Sequence, residues 1–266
     1  MQIAILNDTH AGVKNGSDIF LDYSAKFYDE IFFPYLLENG IKRILHLGDY
    51  FEHRKYVNYK VLEHNYKHFV SKLYKHDITM DIIPGNHDVY YKNTNSLNSI
   101  ETILKQYSDR INIYMNPAVV NYDGLDVALL PWLCKENEEE CIQFINTAAA
   151  PILMGHLELG GFNYMAGANI KSHGMDKKMF DRYEAVYTGH YHTKSTQENI
   201  TYLGTQYELT WSDAGDPKHF HVLDTETRDV TPVRNTNVLF QKIFYDGDNE
   251  PVITKEQIEN TYIKVI

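Results

Sequence analysis

Residues 2–10 read QIAILNDTH. The apolar run from Ile3 to Leu6 is strand length, too short for a helix to be the first choice, and reads as a buried strand. Polarity then changes at once, through Asn7, Asp8, Thr9 and His10. Side chains two residues apart on extended chain point the same way, so Asp8 and His10 can reach one point. In α/β sheets ligand sites lie beyond the carboxyl ends of strands, and this strand ends in acid and imidazole.

The same texture continues outward. RILHL (43–47) and TMDII (79–83) read as further strands, and a helical stretch runs from about Phe20 to Glu38. Pro34 lies inside that stretch and predicts a kink or a division. Residues 57–76 carry Val61, Leu62, Tyr66, Phe69, Val70 and Leu73 at helical spacing, and Asn95 to Tyr107 predicts another helix. From Ile111 strands dominate: INIYM, AVVNY and LDVALLPW, with Asp123-Gly124 as a two-residue hairpin turn, then PILMGH after a helix at about Glu136 to Ala149. After Tyr187, ITYLGT, HFHVLDTETRDVTPV and VLFQKIFYD read as antiparallel strands. An α/β half joined to a β-rich half predicts an α/β fold of two stacked β-sheets flanked by helices. The closing TYIKVI alternates like a strand begun and cut off, which predicts that residues 246–266 open a C-terminal region truncated here, after a main domain of residues 1–245.

Composition narrows the class. The 266 residues are 43% hydrophobic and 13% aromatic, globular values with ample material for a core. Two cysteines, Cys134 and Cys141, match neither a disulfide framework nor a zinc pattern and suit a reducing compartment. With no cationic leader and no apolar run near the roughly 20 residues of a membrane span, a cytoplasmic protein with no membrane partner is expected. The formal net charge of −11 argues against a simple electrostatic nucleic-acid binder, unless metal ions or a basic partner offset it.

Thirteen histidines are the composition's oddity, and several fall at strand ends. After the D-x-H of Asp8 and His10 come Gly48-Asp49, Gly85-Asn86-His87-Asp88, Gly155-His156 and Gly189-His190-Tyr191-His192, each closing a predicted strand. Any one of these is ordinary turn material. All of them in order, at strand ends, are a metal site. The donors are Asp, Asn and His with no cysteine, a set suited to Mn(II), Fe(II) or Zn(II). Two ions about 3.5–4 Å apart, bridged by a carboxylate, would make a hydrolytic centre for phosphoryl chemistry.

D-x-H, GD, GNHD, GH and GHxH in this order resemble the calcineurin-like metallophosphoesterases, over residues 8 to 192. DTHAGVK, GDYFEHRK, GNHDVYYKN, PWLCKEN, GHLELGGF, KSHG and GHYHTKSTQENITYLGT narrow the likeness to the SbcD-type DNA double-strand-break repair nucleases, nearest their T-even bacteriophage branch. The resemblance implies a four-layer sandwich and residues 246–266 as the start of a capping region. It implies a Mn-dependent exo- and endonuclease subunit with two divalent ions (Mg, Fe or Zn being the other choices). DNA, an SbcC-like ATPase and a second copy of the chain are the implied partners, in the cytoplasm of a host cell. Asp8, His10, Asp49 and His192 would hold one ion; Asp49, Asn86, His156 and His190 the other. Asp49 would bridge, and hydroxide held between the ions would attack phosphorus. His87 would be the general acid, and Glu52 would orient it by a hydrogen bond.

Lys14, Arg54, Lys55, Lys92, Lys171 and Lys194 lie close in sequence to these motifs and are either phosphate contacts or plain solvated cations. His53 and His173 fall in the same class. Gly204 and Thr205 are expected to support the GHYH loop. A protein phosphatase or nucleotide phosphodiesterase is the alternative, weakened because Arg54 is the one arginine placed to clamp a phosphomonoester. A metal-free binding module is disfavoured because every ligand position holds a competent residue.

Overall fold

Alternation within the first strand sets the layering. In β1 (Gln2–Leu6), Ile3 and Ile5 enter one apolar cluster, and Ala4 and Leu6 enter another on the opposite face. The computed structural model describes residues 1–162, 174–245 and 254–266. In it β1 pairs in parallel with β2 (Arg43–His46), which continues to β3 (Thr79–Ile82) and β4 (Ile111–Ile113). On its other side β1 pairs antiparallel with β11 (His219–Asp224), and β11 with β12 (Val230–Arg234), completing a six-stranded sheet.

A second six-stranded sheet is built from β5 (Ala118–Tyr122), β6 (Leu125–Leu130), β7 (Ile152–His156), β8 (Ala185–Gly189), β10 (Ile200–Tyr202) and β9 (Ser195–Gln197), in that order. Its middle strands are parallel, and β5 and β9 are antiparallel edges. Ile3, Ile5, Leu45, Leu47 and Ile83 of the first sheet meet Val127, Leu129, Ile152 and Met154 of the second. Outside the first sheet, Ala4, Leu6, Ile44, Met80 and Phe220 pack on Phe27, Phe32 and Phe69 of two helical runs. Outside the second, Ala128, Leu130 and Leu153 meet Cys141 and Ile145 of the helix Glu138–Thr147. Helix, sheet, sheet, helix is the expected α/β architecture of two stacked sheets flanked by helices. Among the described residues no helix is long and apolar enough to cross a membrane.

Pro34 is accommodated rather than disruptive. The helical stretch runs as Asp18–Lys26, a π segment Phe27–Phe32, and Phe33–Glu38. Proline offers no amide and crowds the carbonyl of the preceding turn, and the wider π turn just before it relieves that crowding. Two expectations need correction. Regular helix near Asn95 to Tyr107 is confined to a π turn Ile100–Leu104 and a short 3-10 turn Lys105–Tyr107. Asn98 and Asn95 divert their side chains to the main chain, Oδ1 of Asn98 accepting from the Glu101 amide and Nδ2 of Asn95 donating to the Trp132 carbonyl. The last strands are also not antiparallel. β13 (Phe240–Ile243) pairs in parallel with β14 (Tyr262–Val265), because a long crossover with the short helix Lys255–Ile258 separates them. Phe240 and Tyr262 stack on each other and lie tilted against Phe20, so this small sheet rests on the first core.

Within β3 the buried carboxylate of Asp81 joins the layers. It accepts from both Arg43 contacts at 3.1 and 3.2 Å, from Asn112 at 2.8 Å and from the Tyr122 hydroxyl at 2.8 Å. Removing a buried carboxylate strands its donors, whereas removing one hydroxyl loses a single bond. Asp81→Ala is therefore expected to cost about 3–5 kcal/mol in urea unfolding, and Tyr122→Phe about 1 kcal/mol. Equal losses would show that the carboxylate is not the centre of this cluster.

Candidate metal centre

The hydrogen-bond ladder between β1 and β2 continues past both strand ends. Leu47 N donates to Leu6 O, Asp8 N to Gly48 O, His10 N to Asp49 O and Ala11 N to Tyr50 O, all at 2.8–3.0 Å. The D-x-H and GD segments are thus zipped side by side as they leave the sheet. Their backbones turn sharply to do so: Asp8, His10 and Asp49 have φ of 48°, 44° and 54°, and His190 has 86°. Non-glycine residues held there cost of order 1–3 kcal/mol each and need surroundings that over-determine them.

The packing around these turns is tight. A Cβ on Gly189 would lie 2.7 Å from Asp8 Oδ2 and 3.1 Å from His156 Nδ1. At Gly85 a Cβ would strike the Asp49 side chain and backbone nitrogen and come within 2.8 Å of His156. Glycine is required at both for close approach of the five strand ends.

Two donor clusters result. Asp8, His10 and His192 offer ligand atoms within 4.8 Å of one another, and so do Asp49, His156 and His190. Asn86 joins the second, its Oδ1 lying 3.0 Å from His156 Nε2 and 2.8 Å from His190 Nδ1. Asp49 lies between the two clusters, with Oδ2 at 3.8 Å from His10 Nε2 and 3.4 Å from His156 Nε2. His10 Nε2 and His192 Nε2 converge to 3.2 Å. The seven residues read as ion ligands are thus brought together, Asp8, His10 and His192 in one cluster and Asp49, Asn86, His156 and His190 in the other.

The residues fit divalent ions. Imidazole nitrogens converging beside two buried carboxylates form a mixed oxygen and nitrogen set that suits a divalent transition metal. Second contacts aim the ligands. His10 Nδ1 meets the Glu52 carboxylate at 2.7 Å, and His156 Nδ1 donates to Leu47 O at 2.7 Å, which turns each Nε2 inward. Burial pushes the His192 pKa down to about 4, with the nearby His10 charge adding to it, so its nitrogen carries a free lone pair. Burial also lowers His10 and His156, but the Glu52 hydrogen bond and Asp49 for His10, and the Asp49 charge for His156, prevail and raise both to about 9. Asp49 in turn is held well below the usual carboxylate range by His156 and His10, against the opposing effect of burial.

His87 stands at the same place. Its ring closes a third cluster with His10 and Asp49, its amide donates to Asp49 Oδ1 at 2.7 Å, and its Nδ1 meets the backbone carbonyl of Glu52 at 2.7 Å. Glu52 therefore orients His87 through its main chain. Its carboxylate is spent on His10, because the turn after Phe51 aims the side chain at the D-x-H loop. Lys14, Lys55, Lys92 and Lys194 are exposed on loops that leave the same strand ends, and Arg54 donates from Nε to Val89 O at 2.8 Å. His53 is half-buried and stacks on Tyr56. Lys171 and His173 lie outside the described residues.

Four supports were not read from sequence. Asp88, buried, accepts from the amides of Tyr50, Phe51 and Gly85 at 2.9–3.3 Å and clasps the GD and GNHD loops together. Asn7 donates to Asp8 Oδ2 at 2.6 Å and to Gly204 O at 2.8 Å. Lys218, buried between Asp213 and Asp216, donates to the His192 carbonyl, which Thr205 N also reaches. Gly204 and Thr205 thus do flank the GHYH loop. Trp132, from PWLCKEN, lies against His156 and His190 at ring distances of 5.9 and 5.3 Å. Asp88 and Trp132 sat inside quoted motifs, and Lys218 left no local signal.

Residues 1–225 match the family model for calcineurin-like phosphoesterases. The chain is 34% identical over all its 266 residues to exonuclease subunit 1 of Enterobacteria phage T4, covering 76% of that protein. Solved structures with the same fold include a protein of Thermus thermophilus (11% identity, TM-score 0.50, 88% of this chain and 98% of that one). A novel archaeal phosphodiesterase matches at 12% identity and TM-score 0.45, over 88% of this chain and all of its own. The chain belongs to the calcineurin-like phosphoesterase family and is a metal-dependent phosphoesterase.

Ion binding at neutral pH must expel protons from His10 and His156. Their folded pKa near 9 exceeds the ordinary 6.5, so protonation stabilises metal-stripped protein fully below about pH 6.5, and that contribution is lost as pH rises through 9. Metal affinity should rise over the same window. Titration calorimetry with Mn(II) in two buffers of different ionisation enthalpy reads the protons; none released at pH 7 would refute the assignment. Glu52→Gln should weaken binding at the His10 cluster by roughly 10–100-fold.

Proposed function

We propose that this phosphoesterase is a DNA nuclease subunit that hydrolyses phosphodiesters with two divalent ions, Mn(II) foremost, in double-strand-break repair and recombination. The observation that carries the reading is His87, fixed by Asp49 and the Glu52 carbonyl at the mouth of a two-cluster site that shares Asp49. The full-length likeness to a protein named exonuclease subunit 1 supports it. So does the word subunit in that name, from which we take an SbcC-like ATPase as partner, together with a second copy of the chain and a place in the host cytoplasm. Residues 1–245 would be the nuclease domain and residues 246–266 the start of a capping region.

When bound, the ions supply Lewis-acid polarisation of the phosphoryl group and a nucleophile from water at neutral pH. The protein's own groups do the rest. Asp8, Asp49, Asn86 and the four ligand histidines fix the position of the phosphate, which is the larger part of catalysis where little covalent chemistry is asked of the protein. His87 has Nδ1 committed to a carbonyl, so its other nitrogen is the one that can give a proton to the departing sugar oxygen. Lys14, His53, Arg54, Lys55, Lys92 and Lys194, with Lys171 and His173, are proposed to meet DNA phosphates and position the strand.

A protein phosphatase or nucleotide phosphodiesterase remains the second reading of the donor set. Arg54, the one arginine placed in sequence to clamp a phosphomonoester, donates from Nε to Val89 O, which ties it to the loop after β3.

Cleavage of an end-labelled linear duplex with Mn(II), beside bis(p-nitrophenyl) phosphate, separates the readings. Duplex shortening that is abolished in Asp49→Ala is expected, because that variant removes the shared ligand. Diester cleavage with intact duplex would reject the purified chain as a self-sufficient nuclease. His87→Ser should lower kcat by roughly 10²–10⁴ while Mn(II) affinity holds; lost affinity would make His87 a ligand instead of an acid.

A further inference from the structure

Three loops leave the carboxyl ends of β1, β2 and β3 on the side of the site that holds His87, and they are knitted into one surface. The Tyr56 hydroxyl donates to Asn15 Oδ1 at 3.1 Å and Asn58 Nδ2 to Asn15 O at 3.3 Å, joining the first loop to the second. Arg54 Nε donates to Val89 O at 2.8 Å and Lys55 Nζ lies 5.7 Å over the Tyr90 ring, joining the second to the third. Aromatic rings crown this surface. His53 and Tyr56 stack at 4.6 Å with 21° between planes, and Tyr90 and Tyr91 meet edge-on at 4.7 Å. A cleft of about 210 Å³ between them is lined by residues that include His53, Lys55, Tyr56 and Tyr90.

The patch combines exposed rings with exposed cations. Tyr56 is 56% exposed and Tyr91 52%. Lys14, Lys55 and Lys92 are exposed beside them on a chain whose net charge is −11. Half-exposed aromatic rings interleaved with cations suit unpaired bases on a phosphate backbone. In a duplex the base faces are already stacked on each other, so the rings would have nothing to receive.

We propose that Tyr56, backed by His53, and Tyr91, backed by Tyr90, form a base-stacking ledge for unpaired nucleotides on the leaving-group side of the scissile phosphate. This rests on the nuclease reading above and gives its substrate a form: a single strand, or the frayed end of a duplex. The side follows from connectivity. Tyr90 is three residues beyond His87, and Tyr56 four beyond Glu52, whose carbonyl holds His87. The group that receives the proton from His87 is the group that leaves, so the strand beyond it runs out over these two loops. Lys14, Lys55 and Lys92 neutralise its phosphates and the rings hold its bases.

The test is Mn(II)-dependent cleavage of a labelled single-stranded oligonucleotide, expressed as a ratio to cleavage of bis(p-nitrophenyl) phosphate by the same preparation. Tyr56→Ala and Tyr91→Ala should each lower the ratio roughly tenfold, since one base stack is lost; Tyr56→Phe should keep it. One abasic residue is then walked along the strand. In the wild type, cleavage should fall by a similar factor at one or two positions beside the cut, and the matching alanine variant should show no further loss there. Unchanged ratios in both alanine variants, or an abasic loss that persists in full in them, would overturn the ledge and leave the nuclease standing. Wild-type protein that cleaves the small diester but no oligonucleotide would remove both.

Discussion

Asp49 is the group on which the rest of the site depends. It is a buried carboxylate with oxygens facing His156, His10 and the amide of His87. A charge in that position is tolerable only with positive charge or donors on every side. Strand ends from both sheets are drawn to it for that reason. Asp8, His10, Asn86 and His87 come from the first sheet, and His156, His190 and His192 from the second. The two halves are pinned where His156 Nδ1 meets the Leu47 carbonyl across the sandwich. The central apolar layer is what lets them meet: Leu47 and Ile83 end the first sheet's contribution to it, and each leads within two or three residues to a candidate ligand.

The cost of that convergence is visible in the backbone. Asp8, His10, Asp49 and His190 all hold left-handed φ, and each is a ligand candidate. A chain free to relax would not keep four such residues together. They persist because the ladder between the D-x-H and GD segments, the Asp88 clasp and the absence of side chains at Gly85 and Gly189 leave no other arrangement. Strain stored this way preorganises the ligands, so an ion meets a site already shaped and little reorganisation remains for the catalytic step.

The parts that were legible in sequence are those encoded locally. A buried strand announces itself by composition, and a strand end by the change to Asp, Asn or His, so the order of five such ends revealed both the α/β sandwich and the candidate ligands. What depends on long-range geometry was not legible. Whether the Glu52 carboxylate or its carbonyl would face His87 depends on a turn whose aim is set by a loop far away in sequence. Lys218 reaches His192 across 26 residues, with no local pattern to mark it. The parallel pairing of β13 with β14 depends on a crossover, and alternation alone reports a strand without its partner.

Charge geography reconciles an acidic chain with a polyanionic substrate. Asp8 and Asp49 are buried and directed at the two donor clusters, so two divalent ions there would invert the sign of the field that a phosphate meets. The exposed cations of the three β1–β3 loops stand beyond that centre, next to rings that have no place in the core. On the proposed reading, binding would depend on ion occupancy at the centre and on stacking at the rim more than on non-specific attraction.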